Sequence, residues 1–228
     1  MAQATIATER RTSVDDVFDH LHEQIVTLEL KPGDRLSEAE VAAQFGISRQ
    51  PVRDAFSRLA NLDLLLIRPQ RATEVRRFSI RQIEKARFVR ACVEKEVVAR
   101  AAARCDTTNG AQLDATLTIQ TAAVENGDVT AFGRLDFEFH KLICDIAETD
   151  FAFEVIQQEK AKIDRLCLLG RDKEQRLPDL LDDHQTIADA IKAHDTDKAI
   201  ASCMLHLSRL DQTIERILAS NANYFERS

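Results

Sequence analysis

The stretch from Leu36 to Ala60, LSEAEVAAQFGISRQPVRDAFSRLA, leaves the chain few folds to choose from. Ser37 followed by Glu40 forms a capping box, in which hydroxyl and carboxylate satisfy orphan amides at a helix start. That helix is expected to reach about Gln44. Phe45-Gly46-Ile47 then makes a tight turn, and Gly46 is free to take the positive φ that a turn between helices needs. Ser48 caps a second helix. Pro51 is tolerated there because it sits in the first turn, where its missing amide has no intrahelical partner. On the second helix Val52, Ala55, Phe56 and Leu59 fall on one face, and Arg49, Gln50, Arg53 and Ser57 on another. The pattern predicts a helix-turn-helix, which lays its second helix in the DNA major groove. Paired amphipathic helices with a glycine turn also occur in other helical proteins, where arginines simply solvate a face.

The flanking sequence favours DNA. Before the stretch, Val14, Val17, Phe18, Leu21, Ile25 and Leu28 recur at helical spacing, so a first helix is expected over about 14–28, with Ser13 and Asp16 as its capping box. Residues 1 to about 12 read as a disordered arm. After it, Leu64-Leu65-Leu66-Ile67 enters a strand, Arg68 to Ala72 is turn-like, and Thr73-Glu74-Val75 alternates as a second strand does. Helix, helix-turn-helix and a basic hairpin are the order of a winged helix. The chain carries a net charge of −7, yet seven arginines (49, 53, 58, 68, 71, 76, 77) lie between Arg49 and Arg77. A local excess on an acidic chain confines any DNA contact to this region.

These residues closely resemble the signature of GntR-type bacterial transcriptional regulators. LKPGDRLSEAEVAAQFGISRQPVRDAFSRL matches the family pattern P-G-x-x-L-x-E-x-x-L-A-x-x-x-G-V-S-R-x-P-V-R-x-A-L-x-R-L, and the likeness covers roughly residues 14 to 77. The resemblance implies that Arg49 and Arg53 contact operator bases or adjacent phosphates and that Ser48 and Gln50 meet backbone or bases; the winged-helix order itself puts the wing's arginines, Arg71 among them, beside the DNA backbone or into the minor groove. The chain departs from the family at Ala72, where many members have glycine. Alanine tolerates positive φ poorly, so a differently shaped wing turn is expected.

From Ser79, with Gln82 in the reciprocal capping position, the pattern is helical throughout. Helices are expected at about 80–104, 109–126, 129–147, 151–169, 179–193 and 196–220, ending in a polar tail from Asn221. Aromatic residues are only 5% of the chain, Trp is absent, and 44% of residues are apolar, enough for a helical core. The expected fold is therefore mainly α: a winged helix-turn-helix domain over 1–78 with a small β-hairpin wing, and an all-α antiparallel bundle over 79–228. Five cysteines (92, 105, 144, 167, 203) without C-x-x-C spacing read as reduced thiols. No apolar run reaches the ~20 residues of a membrane span, and the N-terminus lacks a signal-peptide core. A cytoplasmic protein without membrane contact is expected.

Histidines carry the second signal. His140 follows Asp136 by four residues in LDFEFHKL, so both project from one helix face, beside Phe132, Phe139 and Ile143. His184 precedes Ile187 and Ile191, and His206 lies between Cys203 and Leu210 on the inward stripe of the last helix. Three imidazoles and a carboxylate turned inward cost several kcal/mol unless paired or ligating a metal. Such donors suit Zn²⁺, Ni²⁺, Mn²⁺ or Fe²⁺ rather than Ca²⁺. Core or surface roles for the individual histidines remain open on spacing alone. His20, His22 and His194 read as surface residues.

The second half resembles the FCD ligand-binding domain of the FadR branch of the same family. Its metal-binding members carry D-x-x-x-H on one helix and single histidines on two later ones, which Asp136, His140, His184 and His206 match. The resemblance implies a divalent metal (Zn, Ni or Mn) with open coordination positions for a carboxylate effector such as a sugar acid. It also places Arg90 in the cavity lining, with an ion pair to Glu94 at i+4 as the alternative. Thr149 stands in Glu148-Thr149-Asp150, where many members have Gly-Asn-Pro, so an effector contact there is either lost or made by Thr149.

The function expected is a homodimeric transcription factor, not an enzyme, that binds a palindromic double-stranded operator under control of a small organic acid. A metal sensor, in which the ion is the signal, remains open. A metalloenzyme using the same site fits less well, since no H-E-x-x-H motif, evident nucleophile or general base accompanies it.

Overall fold

The computed structural model describes residues 13–170 and 173–226, which form two compact units: residues up to Phe78 with the tail from Asn223, and Ser79–Ala222. The expected N-terminal arm lies outside the described residues.

In the first unit α1 (Ser13–Val26) precedes α2 (Glu38–Phe45) and α3 (Arg49–Asn61). Ser37 Oγ accepts from the Glu40 amide at 3.4 Å, and Gly46 closes α2 in the left-handed region at φ 65. Ser48 sits at the N-cap of α3 in an extended conformation and makes no side-chain cap bond. Apolar spacing decides the packing: Val17, Leu21 and Ile25 of α1 bury against Val52, Ala55, Phe56 and Leu59 of α3, with Val41 and Ala42 of α2. Fully burying a Leu, Ile or Phe side chain is worth about 1.5–3 kcal/mol, so this seam fixes which face of α3 remains outside. The outward face carries Arg49, Gln50, Arg53 and Ser57, all exposed.

The wing has one strand more than expected. β1 (Arg35–Leu36), β2 (Leu65–Leu66) and β3 (Thr73–Val75) form an antiparallel sheet in the order β1-β3-β2, with Arg35 opposite Glu74 and Leu65 opposite Val75. Ala72 does not take positive φ. The left-handed residue of the wing turn is Gln70, at φ 57, after Pro69, and the Arg71 amide donates to the Arg68 carbonyl at 3.3 Å. Proline second and a left-handed residue third is the type II turn arrangement, which displaces the strain from Ala72 to Gln70.

The tail also differs from expectation. After a 3-10 turn (Ala222–Tyr224), Phe225 bridges in parallel to Phe78 and belongs to the first unit. The Phe78 amide donates to the Tyr224 carbonyl at 2.9 Å, the Glu226 amide donates to the Phe78 carbonyl at 2.8 Å, and Arg77 Nε donates to the Asn223 carbonyl at 3.1 Å. Both phenylalanines are buried.

The second unit is helical: α4 (Ile80–Arg104), α5 (Thr107–Glu125), α6 (Val129–Ile146), α7 (Asp150–Cys167), α8 (Lys173–Lys192) and α9 (Thr196–Ser220). α4 packs against α6, α7, α8 and α9, so it buries several faces and is rich in alanine where neighbours approach. Val97, Val98, Leu113, Leu117, Phe139, Ile143, Ile187 and Ile191 centre its core. α5 begins at Thr107 rather than 109 because Asp106 forms a full capping box with Asn109. α8 runs through Pro178, where a break was expected. Proline removes one backbone hydrogen bond, but Leu177 and Leu180 dock against Phe132, Leu135 and Ala123 and hold the segment helical. Ser79 occupies the N-cap of α4 without a side-chain bond, so its pairing with Gln82 does not form.

Candidate functional site

Asp136 and His140 on α6, His184 on α8 and His206 on α9 converge inside the second unit, each offering one donor atom, and these atoms all lie within 4.8 Å of one another. The three histidines are buried, His184 completely. Asp136 Oδ1 lies 3.4 Å from His184 Nε2 and 3.8 Å from His140 Nε2. Neither Nε2 has a hydrogen-bond partner among the described residues. Buried imidazole nitrogens are costly when unmatched, so two of them turned toward one carboxylate oxygen fit a bound divalent ion.

A second layer fixes the imidazoles from behind. Gln120 on α5 is fully buried, and its Oε1 lies 2.7 Å from His184 Nδ1. Its Nε2 donates to the Leu135 carbonyl at 3.3 Å, which orients the amide and leaves the oxygen facing the ring. Glu94 on α4 places Oε2 3.3 Å from His140 Nδ1, and Asp183 on α8 places Oδ2 3.5 Å from His206 Nδ1. Asp183 is itself gripped by Arg209 through contacts of 2.9 and 3.1 Å. For His184 the acceptor on Nδ1 selects the tautomer that leaves Nε2 unprotonated, which is the ligating form, while the longer Glu94 and Asp183 contacts place a carboxylate beside the other two rings. Phe139 stacks on His184 at 4.4 Å between ring centroids, with Phe132 also stacked at 6.0 Å, closing that ring to rotation.

Electrostatics favour the ligating states of His184 and Asp136. Burial pushes the His184 imidazolium down, against a raising pull from Asp136, so the ring is neutral at lower pH than usual. Burial alone raises the Asp136 carboxyl, but the close approach of His184 and the charge of Lys160 hold it well below the ordinary range. Glu94 follows the same logic: burial opposes ionisation, while His140 and Arg90 bring it to about 2.

A cavity of about 180 Å³ opens onto Asp136 and His206. Arg90, Lys160 and Arg176 line it, with apolar walls from Phe132, Leu177 and Leu207. Arg90 both faces this cavity and donates through Nε to Glu94 Oε1 at 2.8 Å, so cavity lining and ion pair coexist. Thr149 is buried at the start of α7, its hydroxyl donating to the Cys144 carbonyl at 3.4 Å, and it does not line this cavity.

The DNA-facing candidates divide by their partners. Arg53 is held by Glu38 through contacts of 3.0 and 3.4 Å, which lift its pKa through hydrogen bonding and charge. Gln50 Nε2 donates to Asp54 at 2.9 Å. Of the other arginines, Arg58 meets Asp15, Arg68 and Arg77 share Glu74, and Arg76 pairs with Asp63 and Glu226. Arg49 at the start of α3 and Arg71 at the wing tip have no ion pair among the described residues, and Ser48 Oγ is equally uncommitted as a cap. His20 and His22 are half-buried rather than fully exposed, against Phe45 and Phe18 respectively. His194 is exposed, with Nδ1 2.7 Å from the Ala102 carbonyl.

A winged helix whose arginine-bearing helix faces outward, in one chain with a bundle built around a small ligand-sized site, has the architecture of a DNA-binding transcription regulator. Comparison with known proteins places it more closely. Residues 13–75 match the model of bacterial regulatory proteins of the gntR family, and residues 86–209 match the FCD domain. The chain is 34% identical over 92% of its length, and 92% of the other's, to the HTH-type transcriptional repressor RspR of Escherichia coli K12. It is 26% identical to the probable D-xylose utilization operon transcriptional repressor of Paenarthrobacter nicotinovorans, with 87% of each chain covered. The fold is shared with E. coli McbR/YncC at a TM-score of 0.66 and 23% identity, covering 91% of this chain and 99% of that one. The chain belongs to the GntR family and carries an FCD effector-binding domain; it is a transcriptional regulator and not an enzyme. Among the described residues no helix is long and apolar enough to cross a membrane.

Proposed function

We propose that the protein is a homodimeric repressor, which holds a divalent metal on Asp136, His140, His184 and His206 and changes its DNA affinity when a small carboxylate joins that metal. The observation that carries this reading is the convergence of four donors beside a cavity lined by Arg90 and Lys160. When bound, the ion supplies a Lewis-acidic centre with positions left for an acid. The chain's own contribution is orientation: Gln120, Glu94 and Asp183 aim the imidazoles, and Lys160, 3.5 Å from Asp136 Oδ2, tempers the carboxylate charge. Zn, Ni and Mn all suit three nitrogens and one carboxylate oxygen.

Arg49, Arg53, Ser48 and Gln50 are the groove-facing set, and Arg71 the wing contact. Two copies related by a two-fold axis would set two α3 helices on the halves of a palindrome. Coupling runs along the chain itself. α9 carries His206 and ends at the tail that clasps Phe78, the residue immediately before Ser79 and α4. An acid that binds better in one arrangement of these elements shifts the population toward it.

The test uses a duplex enriched from a random library by binding to the full-length protein. Chelated protein, protein with added Zn²⁺, Ni²⁺ or Mn²⁺, and metal-loaded protein with a panel of short hydroxy acids are compared by fluorescence anisotropy. The expected result is that metal-loaded protein binds and that one or more acids weaken binding tenfold or more. If metal alone toggles binding and no acid matters, the ion is the signal and the effector reading is wrong.

A further inference from the structure

The cavity beside the four donors has more positive charge than one carboxylate can match. Lys160 Nζ lies 3.5 Å from Asp136 Oδ2 and 2.8 Å from Asp164, Arg90 is tied to Glu94, and Arg176 has no acidic partner among the described residues. Three cations thus face three carboxylates, Asp136, Asp164 and Glu94. A divalent ion on Asp136 would leave two positive charges in surplus, with Lys160 losing much of its hold on the carboxylate it now shares. The remaining lining, Phe132, Leu177, Leu180 and Leu207 among it, supplies no further acid.

Size points the same way. About 180 Å³ matches roughly six waters, room for an acid of on the order of four to six carbons. A single carboxylate at the metal end would leave Arg176 without an acidic partner among the described residues and Lys160 with only Asp164, so a second acidic group gains charge-assisted contacts that a monoacid forgoes.

Building on the metal-linked acid reading above, we propose that the effector is a short-chain dianion, with one carboxylate directed to the metal side and a second acidic group met by Lys160 and Arg176. Lys160 and Arg176 are then specificity-determining residues. They discriminate diacids from monoacids through charge-assisted hydrogen bonds, the stronger class of such contacts.

Calorimetric titration of the metal-loaded full chain with racemic malate and racemic 2-hydroxybutyrate tests this. The two acids share a four-carbon skeleton and the 2-hydroxy acid end, and differ in a terminal carboxylate against a methyl group. Malate is expected to bind at least tenfold tighter. Arg176→Met is expected to erase most of that preference, with 2-hydroxybutyrate affinity changed less than threefold; Lys160→Met is expected to erase it as well, with any change in 2-hydroxybutyrate affinity read against its metal content. Metal content by elemental analysis is followed in parallel because Lys160 neighbours Asp136. Should Lys160→Met disturb the metal, Arg176→Met alone carries the test. If 2-hydroxybutyrate binds in a metal-dependent way and malate binds no better, or if the preference survives in Arg176→Met, the dianion proposal is overturned while the metal-linked acid reading stands. If neither acid binds metal-loaded protein, both fall.

Discussion

His184→Ala protein is expected to lose at least a hundredfold in affinity for its divalent ion, and to leave a purified preparation with little bound metal. The reasoning starts from position. His184 is completely buried, stacks with both Phe139 and Phe132, and has its Nδ1 fixed by Gln120, so Nε2 is presented to Asp136 with little freedom left to lose. Loss of an outer partner of a metal ligand commonly costs 10–100-fold, so loss of a preorganised ligand itself should cost about a hundredfold or more. The same change leaves a cavity and strands the Gln120 oxygen, adding a stability cost of about 2–4 kcal/mol. Competition titration against a chelator reads the first effect and thermal melting of the chelated protein the second. His194→Ala is the control, since that exposed ring lies outside the cluster. Full metal occupancy in His184→Ala would show that the ligand set is wrong.

The largest effect on DNA is expected at α3. Arg49→Ala and Arg53→Ala should each weaken binding to the enriched duplex by roughly 1–3 kcal/mol and relax its sequence preference, the behaviour of arginines that read base edges. Arg53 is held in place by Glu38, so less side-chain freedom remains to be lost on binding, although that partner must also be shared or released. Arg49 has no such competitor among the described residues and should show the cleaner loss. Arg71→Ala, by contrast, should weaken all sequences about equally and flatten the salt dependence by about one phosphate contact. Anisotropy titrations on enriched and scrambled duplexes across several salt concentrations separate the two patterns. Wild-type affinity in both Arg49→Ala and Arg53→Ala would remove α3 from the interface.

Several of these features are legible in the sequence itself. Ser37, Glu40, Gly46 and the apolar stripe of α3 are local signals, and local signals specify a helix-turn-helix. Asp136 and His140 were visible for the same reason, because i and i+4 meet on any helix. His184 and His206 needed the resemblance as well, since only the fold brings α8 and α9 to α6. Gln120, Glu94 and Asp183 carried almost no advance signal as imidazole partners. A buried glutamine in LTIQTAA looks like any other helix residue until Leu135 and His184 are beside it. The arginine count overstates the free charge: Arg58, Arg68, Arg76 and Arg77 are ion-paired within their own unit, Arg68 and Arg77 to the one Glu74 carboxylate, and Arg53 pairs with Glu38, so of the seven only Arg49 and Arg71 lack an ion pair among the described residues. β1 is two residues long and can show no alternation, and Pro178 is overridden by burial of Leu177. The tail looks polar in sequence because only its fold-dependent pairing with Phe78 explains Phe225.

The four-donor centre is tested most directly by anomalous diffraction from crystals of full-length protein purified without added metal. A single strong peak is expected, roughly 2.0–2.2 Å from one oxygen of Asp136 and one nitrogen each of His140, His184 and His206. A peak bound by other residues, or none in protein whose elemental analysis shows a stoichiometric divalent metal, would contradict it.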